Sequence, residues 1–189
     1  MEAVHDLWFF VMGRAALSVL VATAVVAWPL GRLIADRLRR PRAAAILLVA
    51  AVGVVMALTL TPNYPVPGDP TSAPPHFLHY LGDMHLVWAA LTSAPSDSEQ
   101  IANIALYVPV GLFGRFVWRS TIGAAAFGMA LTALIETCQY GIVGREGSIT
   151  DIRNNAAGAL LGALAGAAAT RAARRCGARN TADNSEPVR

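Results

Sequence analysis

Glu136 lies near the end of an apolar stretch that runs from Thr121 to Tyr140, and Gln139 follows three residues later on the same helical face. A carboxylate about one turn deep, roughly 6 Å at 1.5 Å per residue, is costly unless it has a partner or a task. Candidate partners are close in sequence. Arg145 stands in the short link to the next apolar stretch, and Asp151 and Asn155 open that stretch at four-residue spacing, on one face. Asn103 lies about one turn inside an earlier stretch. If the stretches cross a membrane alternately, all six side chains reach one leaflet. Their chemistry is charge-assisted and amide hydrogen bonding. Glu136 is expected to be ionised and paired with Arg145, with Asn103 and Asn155 donating amide hydrogen bonds. Arg153 and Arg14 are the next candidate partners. Glu136 or Asp151 as a general base is the catalytic alternative. No nucleophile–base pair, phosphate loop or complete metal set accompanies them, so no catalytic residue is assigned and no cofactor or metal is expected.

The elements that must hold these residues are apolar helices. Of the 189 residues, 55% are apolar and 14% are charged, where an average soluble domain carries about a quarter charged residues. Five runs approach the length that spans a bilayer: Leu7 to Leu30, Ala43 to Thr61, Ile101 to Val117, Thr121 to Tyr140, and Ile152 to Ala173. Ala43 to Thr61 has no polar face, which argues against a soluble bundle. The chain is therefore expected to be an all-α, polytopic membrane helix bundle. The beginning, "MEAVHDLW", is acidic and the first run ends in "WPLGRLIADRLRRPR", so that run reads as a retained span rather than a cleaved signal.

All basic side chains apart from histidine are arginine. Arg32, Arg37, Arg39, Arg40 and Arg42 lie between the first two runs, Arg115 and Arg119 flank the third link, and Arg171, Arg174, Arg175, Arg179 and Arg189 follow the fifth run. The positive-inside tendency then places the N-terminus outside and the C-terminus inside a bacterial plasma membrane. Arginines that border spans do not form a nucleic-acid face, and no nucleic-acid partner is expected. Cys138 and Cys176 fall on opposite sides and suggest no disulfide. Residues 1–175 read as one transmembrane domain and residues 176–189 as a disordered cytoplasmic tail.

The segment from Pro62 to Pro95 begins rich in proline. Phe77, Leu81, Met84, Trp88 and Leu91 then recur at helical spacing, which predicts a short interfacial helix in an outer loop. His76, His79 and Asp83 share another face. Their spacing suits a metal, but no second cluster completes a ligand set, so the plainer reading is a solvated face. Ser96 and Glu99 fit a capping box at the start of the third span. Pro109 and Gly111 inside that span read as structural, for bending and close approach. Gly158, Gly162 and Gly166 form a small-residue stripe that serves either packing within the chain or a homodimer; packing within the chain is favoured.

The segments "NIALYVPVG", "IETCQ" and "GREGSITDIRNNAAGALLG" together resemble the VanZ-like family of bacterial membrane proteins. The matching residues are Asn103, Pro109, Gly111, Glu136, Gln139, Arg145, Asp151, Asn155, Gly158 and Gly162, within about residues 99–166. The resemblance implies a role in the cell envelope, and the name-giving member is associated with low-level teicoplanin resistance. It brings no agreed reaction. Three functions are open on this basis. The cluster binds an anionic lipid or the headgroup of a lipid-linked cell-wall component, or it serves a membrane enzyme, or it only fixes helix packing. Binding is the reading preferred.

Overall fold

The computed structural model describes residues 14–61, 82–139, 141–142, 145 and 147–183. The described residues form six helices and no strand: α1 (Arg14–Leu38), α2 (Arg42–Thr59), α3 (Met84–Thr92), α4 (Ser98–Trp118), α5 (Thr121–Gln139) and α6 (Ile149–Asp183). All but α3 contain a segment long and apolar enough to cross a membrane. The outer faces fit that reading. Ile122 is 82% exposed and Leu134 61%, a display of large aliphatic side chains that water disfavours and lipid accepts.

Short, capped turns set the order of the helices. α1 ends with Arg39 in the left-handed region, at φ 52°, and Pro41 then stands at the N-cap position of α2 without a side-chain capping bond. α4 ends the same way at Arg119, φ 56°, whose N–H returns to the Arg115 carbonyl at 2.9 Å. Ser120 Oγ accepts from Gly123 N at 3.0 Å and starts α5. These two turns lie at one end of the bundle, joined by the Arg40 Nε donating to the Val117 carbonyl at 2.7 Å. The opposite end carries α3, the start of α4, the end of α5 and the start of α6.

α4 and α6 approach each other most closely. A Cβ on Gly158 would lie 2.0 Å from the Ile104 carbonyl oxygen, and one on Gly162 would lie 2.0 Å from that of Val108. Gly111 meets the Ala159 carbonyl in the same way. Backbone therefore packs on backbone, as small residues allow in lipid. The Gly158–Gly162–Gly166 stripe is used here within the chain, against α4.

Several boundaries differ from the sequence reading. α1 runs on to Leu38, so Arg32 and Arg37 lie within the helix rather than in a link. Arg32 sits 5.6 Å from the centre of the Trp28 ring, an arrangement that lets a long cationic side chain remain in a span's end. α3 begins at Met84, where Asp83 accepts from the backbone N–H groups of His85 and Leu86 at 3.0 and 3.3 Å. Asp83 thus acts as a helix cap; Phe77, Leu81, His76 and His79 lie outside the described residues. The cap of α4 is shifted by one residue: Asp97 accepts from Gln100 N at 2.8 Å, and the reciprocal partner of Ser96 N is Gln100, not Glu99. α6 continues past Cys176 to Asp183, into the segment expected to be a disordered tail; the stretch contains no proline, so nothing in it blocks continuation of the Ala- and Arg-rich helix before it.

Candidate functional site

The start of α6 meets the end of α5 through one serine. Ser148 N donates to Glu136 Oε2 at 2.8 Å, and Ser148 Oγ accepts from Asp151 N at 3.4 Å. Ser148 therefore caps α6 and fixes the Glu136 carboxyl beside that cap. Glu136 is only 2% exposed. α4 joins the same group, as Asn103 Nδ2 donates to Asp151 Oδ1 at 2.8 Å. One turn further along α6, Asn155 Nδ2 donates to Thr132 Oγ1 at 2.9 Å. The three helices named by the sequence reading do supply one cluster, but its bonds differ from those expected. Asn103 serves Asp151 and Asn155 serves Thr132, rather than Glu136.

The salt bridge expected between Glu136 and Arg145 is not formed. Among the described residues the ion pair within 4.0 Å is Arg42–Asp36, at the other end of the bundle. Arg145 instead addresses the last turn of α2. Its Nη2 donates to the Leu58 carbonyl at 2.7 Å and its Nε to the Thr61 carbonyl at 3.1 Å. Gln139 Nε2 donates to the neighbouring Thr59 carbonyl at 3.0 Å. A helix C-terminus leaves its last carbonyls without intrahelical donors and carries partial negative charge, so a guanidinium and an amide suit it. Burial lowers the Arg145 pKa from the ordinary arginine range, against the opposing effects of Glu99 and then Glu136. An arginine stays charged at neutral pH all the same. Arg153 makes the same kind of contact elsewhere. It donates to the carbonyls of Ala90 and Ser93 at the end of α3, and to Asn154 Oδ1 at 2.8 Å.

A cleft of about 1130 Å³ opens between α2 and α4 and ends at this cluster. At one end it is lined by Asp97, Glu99, Asn103, Glu136, Gln139, Arg145, Asp151 and Asn155. Away from them the walls are apolar, with Leu47, Ala51 and Val54 from α2 and Leu106, Pro109 and Phe113 from α4. From Asn103 to Phe113 is roughly 15 Å along α4 at 1.5 Å per residue, about half the hydrocarbon thickness of a bilayer. Pro109 has no N–H, so the carbonyl of Ala105, also in the wall, loses its usual donor. The Oδ1 of Asn155, 2% exposed, is buried without a hydrogen-bond partner.

All six polar residues singled out from the sequence line the cleft. Ser148, Thr132 and Asn154 were missed. Thr132 stands four residues before Glu136, and Asn154 stands beside Asn155. Helical spacing from the acidic residue was the available signal for Thr132; nothing marked Ser148 apart from its place before a helix start. The described residues contain no group of His, Cys, Asp and Glu arranged to hold a metal ion.

A family model described as VanZ/LLP1 matches residues 47–169, about two thirds of the chain. The match begins in α2 and so includes the helix that Arg145 and Gln139 cap. No curated protein and no solved structure matches the chain.

Proposed function

Because the chain belongs to the VanZ/LLP1 family and has five helices fit to span a bilayer, we propose that this multi-pass membrane protein binds a lipid in the cleft between α2 and α4. The observation that carries the reading is the cleft's polarity: polar side chains gather at one end, and apolar walls continue for about one leaflet's depth. A headgroup with one long chain has that division. The host membrane is the bacterial plasma membrane, and the polar end faces outward, as the arginine distribution implies. The lipid is a membrane lipid or a lipid-linked cell-wall component.

Within this reading the site residues divide into two groups. Gln139 and Arg145 position α2 through its carbonyls. Asn103, Glu136, Asp151 and Asn155 face the headgroup. Pro109 and the glycines Gly111, Gly158 and Gly162 shape the apolar wall and bring α4 against α6.

Mass spectrometry of lipid retained by the purified protein tests the proposal. Val54 is 37% exposed and lines the apolar wall, so Val54→Trp fills the chain's path without disturbing the core. Retained lipid is expected for the parent protein and is expected to fall sharply for Val54→Trp. Equal retention by both would refute binding in this cleft. The cellular expectation, carried by the family resemblance, is a change in teicoplanin susceptibility on expression in a sensitive bacterium. That change should be lost with Val54→Trp.

A further inference from the structure

We propose that the cleft selects a lipid whose headgroup carries a protonated amine, of the phosphoethanolamine type, over lipids with an anionic or quaternary-ammonium headgroup. The inference rests on the lipid-binding reading above. Two independent observations support it. First, the polar end holds four acidic side chains, Asp97, Glu99, Glu136 and Asp151, while Arg145 is its cation among the described residues. The Arg145 guanidinium already donates to the Leu58 and Thr61 carbonyls. A net anionic headgroup would add like charge to a partly buried acidic group, which is costly in low dielectric. Second, Asn155 Oδ1 is a buried acceptor without a partner, in a residue that lines the cleft and is 2% exposed. A buried acceptor left bare costs about 1–3 kcal/mol, so the site is incomplete without a donor.

A primary ammonium supplies what both observations ask for. It brings positive charge and three N–H donors. A trimethylated ammonium brings the same charge and no donor, so it separates the two arguments.

The experiment equilibrates the purified full chain in detergent with an equimolar mixture of phosphatidylethanolamine, phosphatidylcholine and phosphatidylglycerol of matched acyl chains. Bound lipid is counted by native mass spectrometry. The expected result is a preference for phosphatidylethanolamine of about tenfold, the scale of one hydrogen bond to a charged group. Asn155→Ala and Glu136→Gln should each reduce that preference to under about threefold, and an undiminished preference in both folded variants overturns the headgroup inference. Where Glu136→Gln does not fold, Glu99→Gln carries the test, since Glu99 lines the cleft at an exposed position. Equal retention of the three lipids, or a preference for phosphatidylglycerol, overturns the headgroup inference and leaves lipid binding standing. Retention of none of them by a folded protein overturns both.

Discussion

Replacing Arg145 with Ala removes two donors from the C-terminal end of α2, at 2.7 Å from the Leu58 carbonyl and 3.1 Å from that of Thr61. A hydrogen bond to a charged group contributes about 1.5–3 kcal/mol, so loss of both with dry carbonyls would cost about 3–6 kcal/mol. Arg145 lines the cleft, and water entering there can solvate part of what is exposed. The net destabilisation should be about 2–4 kcal/mol. Arg145→Lys keeps the charge but not the planar fork, can serve one carbonyl well, and should lose about half as much. Equilibrium unfolding in mixed detergent micelles measures the change. Hydrogen exchange should show it first at the end of α2. A further measurement separates this account from an ion pair with Glu136. In a cycle of Arg145→Ala and Glu136→Gln, residues in direct contact would couple by about 0.5–3 kcal/mol. Without that contact the two changes should add to within about 0.5 kcal/mol. A change under about 0.5 kcal/mol for Arg145→Ala, or loss of protection around Glu136 with α2 unaffected, would refute the capping role.

Gly158→Ala and Gly162→Ala each place a Cβ 2.0 Å from a backbone carbonyl of α4, and should destabilise by about 1–3 kcal/mol or more. Ala165→Val on the exposed face of α6 serves as a control, with an effect within about 0.5 kcal/mol expected in the same unfolding assay. Arg153→Ala should free α3 from α6, and amide exchange over residues 84–92 should rise about tenfold while the rest of the bundle keeps its protection. In a background with Cys138 and Cys176 changed to Ser, cysteines at Ser72 and Asp183 should react with an impermeant thiol reagent from opposite sides of the membrane, Ser72 from outside. Reaction of both from one side would overturn the five-span arrangement.

Lipid imposes composition on a span, so the number of candidate spans was legible from apolar runs alone, and the gathering of the polar residues at one end of the bundle followed from their distance to each run's end. The C-terminal limit of α1 was not legible. Arg32 and Arg37 look like link residues by charge, but their aliphatic stems allow them to stay in a helix whose Trp28 ring receives Arg32. The glycine stripe was readable as close packing because a missing side chain has few other uses in lipid. Hydrogen-bond partners were less readable. Several polar residues at one depth offer many pairings, and the sequence does not rank them. Arg145 chose backbone carbonyls, which every residue has and no letter marks. Ser148 and Thr132 escaped notice for a related reason: a small hydroxyl is common in spans, and only its neighbours reveal what it holds.

The arginines and the acids of this chain are linked by what the helix ends require. Arg40, Arg145 and Arg153 each donate to carbonyls at the end of a helix, α4, α2 and α3 respectively. The last carbonyls of a helix lack intrahelical donors, and these cations serve them. The acids at the polar end of the cleft are consequently without a direct ion pair among the described residues. Among the described residues, Glu136 has Ser148 N and Asp151 has the Asn103 amide, one side-chain contact each, where a carboxylate has two oxygens and room for more. Among the described residues that line the end of the cleft, acceptors thus exceed donors; the buried donors Tyr107 OH and Asn154 Nδ2, also without a partner, are not part of that lining. A structural cluster would close that gap with its own side chains, as the Asn155–Thr132 contact does on one side. That Asn155 Oδ1 remains bare in the same residue points to a donor from outside the chain. This imbalance, rather than the presence of polar residues in a span, favours a binding site over a cluster that only fixes helix register.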